Sequence, residues 1–206
     1  MRFQPFVDRA LADAFGIDVD ALHQPGLSIV TDAPMLDGYR GVYVLRLGDT
    51  VLVGAPSGLG PSWHGYLHRD DFAPGAAEGR RVTDGDAAAI AALEASVGTD
   101  AFHEGGFGHD PFPEVAWLIE DDHGIAALGN MTDFAGAAAD VGLVTRPDAR
   151  RRGLATRLAT AMLAACFASG VEVARYRALT TNAASLAVAT KLGFAGYGEN
   201  VAVRFP

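Results

Sequence analysis

The sequence predicts a mixed α/β fold, and three observations carry that reading. Helical repeats alternate with short β-rich runs along the chain. A strand-loop-helix unit sits at the centre of the second half, where "AADVGLVTRP" leads into "GLATRLATAMLAACFASG". Half of the 206 residues are hydrophobic, enough for one large domain or two small ones.

The elements follow in order. A helix is expected near Phe6 to Phe15, then a strand at "GLSIVT". In "GVYVLRLGDTVLVGAP" two β-rich runs flank Gly48-Asp49, the residue pair a tight hairpin requires. From Ser57 to Gly79 the chain is rich in Gly, Pro, His and Asp with no sustained period, which marks a linker and divides the chain into residues 1–78 and 79–206. A short strand at "RRV", a cap at Asp84 or Asp86 and a helix through Ile90, Leu93 and Val97 come next. The glycine-rich stretch "TDAFHEGGFGHDPFP" reads as a loop carrying His103, Glu104, His109 and Asp110. "EVAWLIED" and "GIAALGNMTDF" read as two strands of a hairpin, and "AADVGLVTRP" as a strand ended by Pro147. Leu154, Leu158, Met162 and Cys166 repeat at helical spacing up to a glycine cap at Gly170. A strand at "VARYRALTT", a helix from Asn182 to Gly193 and a last strand at "VAVRF" complete the order.

Composition limits the function. Sixteen basic against 25 acidic residues give a formal charge of −9, which argues against general affinity for nucleic acid or anionic membranes. No apolar run approaches the roughly 20 residues needed to cross a bilayer. The N-terminus lacks the apolar core of a signal peptide, and the single cysteine, Cys166, permits no internal disulfide, so a cytoplasmic protein is expected. His64 and His68 stand four apart around Gly65, in a stretch too poor in helix formers to present two metal ligands; no metal is expected.

Against that acidic background, "VTRPDARRRGLAT" holds four arginines in thirteen residues. The stretch lies between a strand and the first turn of a helix, where main-chain N–H groups lack intrahelical acceptors and the helix dipole is positive. Glycine at 153 lets an anion approach the main chain, and the arginines add charge locally. A pyrophosphate is the expected ligand.

"LVTRPDARRRGLATRLATAML" followed by "LTTNAASLAVATKLGFAGYG" resembles the GNAT superfamily of acetyltransferases, whose loop pattern Q/R-x-x-G-x-G/A matches Arg150, Gly153 and Ala155. The resemblance covers about residues 79–206. It implies an acyl-CoA N-acyltransferase fold with a small N-terminal α/β extension, and acetyl-CoA as acyl donor to an amine acceptor. By the same resemblance the pyrophosphate sits on the amides of Arg151, Arg152, Gly153, Leu154, Ala155 and Thr156. The strand Val141–Thr145 splays from Val173–Thr181, and the acyl-pantetheine arm pairs with main chain near Leu143 and Val144. Asn182 and Ser185 fall where the family contacts that arm, although Asn182 is also an ordinary helix cap.

Direct attack by an amine needs a proton acceptor, an oxyanion donor and a proton source for the thiolate. The resemblance offers Asp140, or Glu114 on an earlier strand, as base, and the N–H of Val144 for the oxyanion. The tyrosine that relatives use as acid is replaced by Ala189, which leaves Tyr197 as a substitute and equally fits a non-catalytic acyl-CoA-binding regulatory module. Residues 1–78 lie outside the resemblance and are read as an appendage that covers the acceptor side or makes a homodimer.

Overall fold

The computed structural model describes residues 4–31, 33–34, 42–55, 62–107 and 115–200. The chain forms two compact units, residues 1–62 with 179–181 and 199–206, and residues 63–178 with 182–198.

In the first unit, helix α1 (Gln4–Phe15) precedes strands β1 (Gly26–Thr31), β2 (Tyr43–Leu47) and β3 (Thr50–Ala55). The sheet order is β1-β3-β2, with β1 parallel and β2 antiparallel to β3. The expected hairpin is present: Leu47 faces Thr50, and Gly48 holds the positive φ of 60° that a two-residue turn demands. Ala12, Phe15, Leu22, Ala33 and Leu52 form its core.

The second unit holds a seven-stranded sheet in the order β10-β4-β9-β8-β7-β6-β5. Its strands are β4 (Ser62–His68), β5 (Arg80–Arg81), β6 (Ala116–Asp121), β7 (Gly124–Phe134), β8 (Ala137–Thr145), β9 (Val173–Leu179) and β10 (Ala195–Asn200). Strands β5 to β8 pair antiparallel, whereas β8 and β9 are parallel and joined through helix α4 (Leu154–Ala168). Helices α2 (Ala87–Val97), α3 (Thr99–Glu104) and α5 (Ala183–Leu192) complete the unit. Among the described residues, no helix is long and apolar enough to cross a membrane.

Two readings of the sequence need correction. β4 lies inside the stretch read as a linker, and the N-terminal segment of the first unit runs to Ser62. The absence of a Cβ at Gly65 leaves room for the Trp63 ring, so the glycine that argued against regular structure packs within a strand. Helix α3 occupies the start of the glycine-rich stretch. As expected, Asp86 is the N-cap residue of α2, and its carboxylate accepts from the main-chain N–H and the hydroxyl of Thr83. The strand expected at 201–205 lies outside the described residues, as do His109 and Asp110.

Both faces of the sheet are buried, which explains the nearly continuous apolar run of β7. On one face, Leu158, Met162, Leu163 and Cys166 of α4 pack on Ala127, Met131, Val141 and Tyr176. On the other, Leu93, Phe102 and Phe107 pack on Leu118, Ile125, Leu128 and Val144. Cys166 is buried and its thiol is pushed up by that burial, as its packing role requires.

The chain after α3 is pinned to the sheet by Asn130, whose Nδ2 donates to the carbonyls of Gly105 at 3.3 Å and Gly106 at 3.0 Å. Gly142 lies beneath this bridge, and a Cβ there would collide with the Gly105 carbonyl and with Asn130 Oδ1. Gly142→Ala is therefore expected to destabilise the fold by about 1–3 kcal/mol, measured by denaturant unfolding.

Candidate functional site

The turn between β8 and α4 is shaped by alternating backbone conformations. After a short 3₁₀ turn at Pro147–Ala149, Arg150 is extended (φ −64°, ψ 162°). Arg151 is left-handed at φ 62°, and so is Gly153 at φ 75°, ψ 10°. A left-handed arginine is strained by about 1–3 kcal/mol and persists only where its surroundings enforce it. The result is a concave row of amides. From Arg151 to Thr156, no main-chain N–H donates to an acceptor among the described residues, and the first helical bond of α4 runs from Arg157 N to Gly153 O at 3.1 Å. No side chain caps the helix. Gly153 is thus required by its backbone angle, and a Cβ there meets only Arg157 Nη1, at 3.7 Å.

Most of the arginine charge at the turn is already engaged. Arg146 donates from Nε to Asp148 at 2.6 Å, from Nη2 to Asp121 at 2.7 Å, and from Nη1 to the Ile125 carbonyl at 3.1 Å. Arg152 reaches the other oxygen of Asp121 at 2.8 Å, and Arg150 Nε donates to Thr145 O at 3.3 Å. Only Arg151 has a side chain without a partner among the described residues. Arg146 and Arg152 tie the turn to the β6–β7 hairpin, and the amides form the donor row. Leu154 and Thr156 contribute N–H groups, while the Leu154 side chain belongs to the core.

β8 and β9 pair only at Asp140 with Arg175 and at Val141 with Tyr176. Beyond Val141 the strands part, as expected. Which groups face the gap follows from register. Arg146 N donates to Ala126 O, and hydrogen bonding to an antiparallel neighbour recurs at every second residue, so Val144 and Gly142 also turn their N–H and C=O toward β7. Leu143 and Thr145 therefore present theirs to the opening. By this parity the N–H of Leu143, rather than that of Val144, points into the opening.

The far side of the opening is built by β9 and the first turn of α5. Asn182 caps α5 through Oδ1, which accepts from Ser185 N at 3.1 Å, and its Nδ2 donates to Glu104 Oε1 at 3.0 Å. The cap is thus also a bridge from α5 to α3. Ser185 Oγ lies 3.0 Å from the Tyr176 hydroxyl. Burial, chiefly, and the nearby Glu104 carboxylate push the Tyr176 phenol above its ordinary value. Ala189 is fully buried one turn further along α5.

Sequence reasoning left Glu104 in a loop and missed Tyr176. The signal for Tyr176 was its place in "VARYRALTT", at the last residue of strand pairing, which only the register reveals. Asp140 is not a solvated strand end: it is 3% exposed, and its Oδ2 accepts from Arg175 Nη2 and from Arg177 Nε and Nη2. Tyr197 is 86% exposed and packs edge-on against Tyr66. Glu114 lies outside the described residues.

Residues 101–195 match the family model described as "Acetyltransferase (GNAT) domain". Similar solved structures include a GNAT-family protein from Novosphingobium aromaticivorans, 19% identical over 77% of this chain and 64% of that one, with a TM-score of 0.50. A GNAT-family acetyltransferase from Colwellia psychrerythraea is 15% identical over 66% of this chain and 53% of its own, TM-score 0.54. A GCN5-related N-acetyltransferase from Sphaerobacter thermophilus is 17% identical over 81% and 53%, TM-score 0.53. At these identities the likeness is one of fold, and the chain spans less than two thirds of the length of each. No curated protein matches the chain.

The Arg146 cluster has a pH signature. Hydrogen bonds from Arg146 hold Asp121 and Asp148 below the usual carboxylate range. Their contribution to stability is complete above the unfolded-state value of about 4 and is lost as pH falls through the lower folded values. Asp121→Asn is expected to lower the unfolding midpoint at neutral pH and to flatten its decline below about pH 4, measured by calorimetric melting across a pH series.

Proposed function

We propose that this chain, whose residues 101–195 match the GNAT acetyltransferase family model, moves an acetyl group from acetyl-CoA to an amine by direct attack. One observation carries the reading: a single strand-turn-helix segment supplies both an unpaired strand edge at Leu143 and a row of unpaired amides from Arg151 to Thr156. The row suits a pyrophosphate, and the edge suits an extended arm with its own amides. Asn182 and Ser185 stand on the opposite side for polar contact with that arm.

Bound acetyl-CoA would supply an activated thioester carbonyl. The Leu143 N–H, aimed into the opening, would steady negative charge there. Glu104 is the carboxylate that reaches this opening, held by Asn182, and is assigned as proton acceptor from the amine. Tyr176, kept protonated by burial, is assigned as proton donor in place of the side chain absent at Ala189. Asp140, bound by two guanidiniums, is a positioning residue for them. Cys166, alone and buried, fits a reducing compartment such as the cytoplasm.

Calorimetric titration with acetyl-CoA, followed by assay of thiol release across a panel of amines, tests the reading; binding without release from any amine would favour a non-catalytic acyl-CoA-binding module. Gly153→Glu, which forces a side chain into the left-handed backbone and adds negative charge to the row, is expected to abolish acetyl-CoA binding in a protein with an unchanged circular dichroism spectrum. Glu104→Gln and Tyr176→Phe are each expected to lower kcat by about 100-fold with acetyl-CoA affinity retained. Wild-type rates in either variant would remove that residue from its role.

A further inference from the structure

One polar cluster in the second unit, in which Asp140 positions two guanidiniums, leaves those guanidiniums without a role above. Three donors, Arg175 Nη2, Arg177 Nε and Arg177 Nη2, converge on the single oxygen Asp140 Oδ2 at 2.8, 3.0 and 2.6 Å. Asp140 Oδ1 and Arg175 Nε are buried with no hydrogen-bond partner among the described residues. Arg177 Nη1 finds no acceptor among the described residues, and its side chain is 49% exposed. Two guanidiniums against one carboxylate leave one positive charge in excess, in a chain whose formal charge is −9. The half-exposed Arg177 keeps this excess in contact with solvent, so it stays open to something of opposite charge.

Its place in the fold says what that something would be. Pairing between β8 and β9 ends at Val141 and Tyr176, so Asp140 and Arg177 flank the closed end of the opening. Asp140, like Gly142 and Val144 two and four residues on, belongs to the sheet face that α3 packs against, which is also the face from which Glu104 reaches the gap. Aromatic rings continue the site. The Arg175 guanidinium lies 4.4 Å from the Phe134 ring centroid, Phe134 is 5.6 Å from Tyr66, and Tyr66 is 5.6 Å from the exposed Tyr197.

We propose that the Arg175–Arg177 pair binds a carboxylate of the acceptor, so that the substrates are small amines carrying a carboxylate, with their apolar part against Phe134, Tyr66 and Tyr197. The planar edge of Arg177 matches a carboxylate, and a single excess charge matches a monoanion better than a phosphate monoester. Asp140 fixes both guanidiniums and keeps their charge from being fully open to solvent anions. The proposal rests on the acetyltransferase reading for its meaning as an acceptor site, while the binding it predicts does not depend on turnover.

The test uses an unreactive product pair differing only in the carboxylate, N-acetylphenylalanine and N-acetylphenethylamine, titrated calorimetrically into the full chain with CoA present. The acid is expected to bind at least about tenfold more tightly. Arg177→Gln should bring the two within about twofold, and Arg177→Lys should retain part of the preference. Equal affinities in the wild type, no binding of either compound, or a preference that survives Arg177→Gln would each overturn the proposal. Failure of thiol release across the amine panel would instead overturn the acetyltransferase reading and leave a measured carboxylate preference standing.

Discussion

The interruption of pairing between β8 and β9 is the constraint on which the rest of the site depends. Parallel strands joined by a helix normally continue their ladder, and here it stops after Val141 and Tyr176. Everything of chemical interest borders that interruption: the free edge of Leu143, the amide row at the start of α4, the Tyr176 hydroxyl and the Asp140 cluster. A continuous ladder would have paired the Leu143 edge within the sheet. Unpaired main chain in a buried sheet is unfavourable, so the cost of the gap is carried by the packing of α4 on one face and of α2 and α3 on the other.

Charge is deployed in two distinct ways around this gap. At the turn, Asp121 and Asp148 gather Arg146 and Arg152, two charges of each sign, and those ion pairs hold the loop in shape while the amides are left open. At the closed end, Asp140 gathers Arg175 and Arg177 with one cation in surplus. The first arrangement is balanced and structural. The second is unbalanced and partly exposed, so it has charge to offer a ligand where the first has none.

Much of this was legible in the sequence because it is local. The turn "ARRRGLAT", the Asn182 cap, the Gly193 stop and the Gly48-Asp49 hairpin each depend on residues within a few positions of one another. What escaped is what register or distance decides. Asp140 finds its partners 35 and 37 residues away, and nothing near it in the chain announces two arginines. Whether Leu143 or Val144 faces the gap turns on a one-residue parity set by pairing with β7. β4 was hidden because Gly65 and the surrounding histidines suppress strand patterning, although the strand alternates buried and half-buried positions from His64 onward. Helix α3 was hidden by the glycines that follow it.

The open amides before α4 tie occupancy to folding. An unfolded chain has no such row, so an anion held there associates with the native state alone, and its chemical potential adds directly to native-state persistence. Resistance to heat and proteolysis would then rise with the logarithm of ligand supply once the row is saturated. A starved cell would hold this chain closer to its melting threshold than a well-fed one, with no change in its covalent structure.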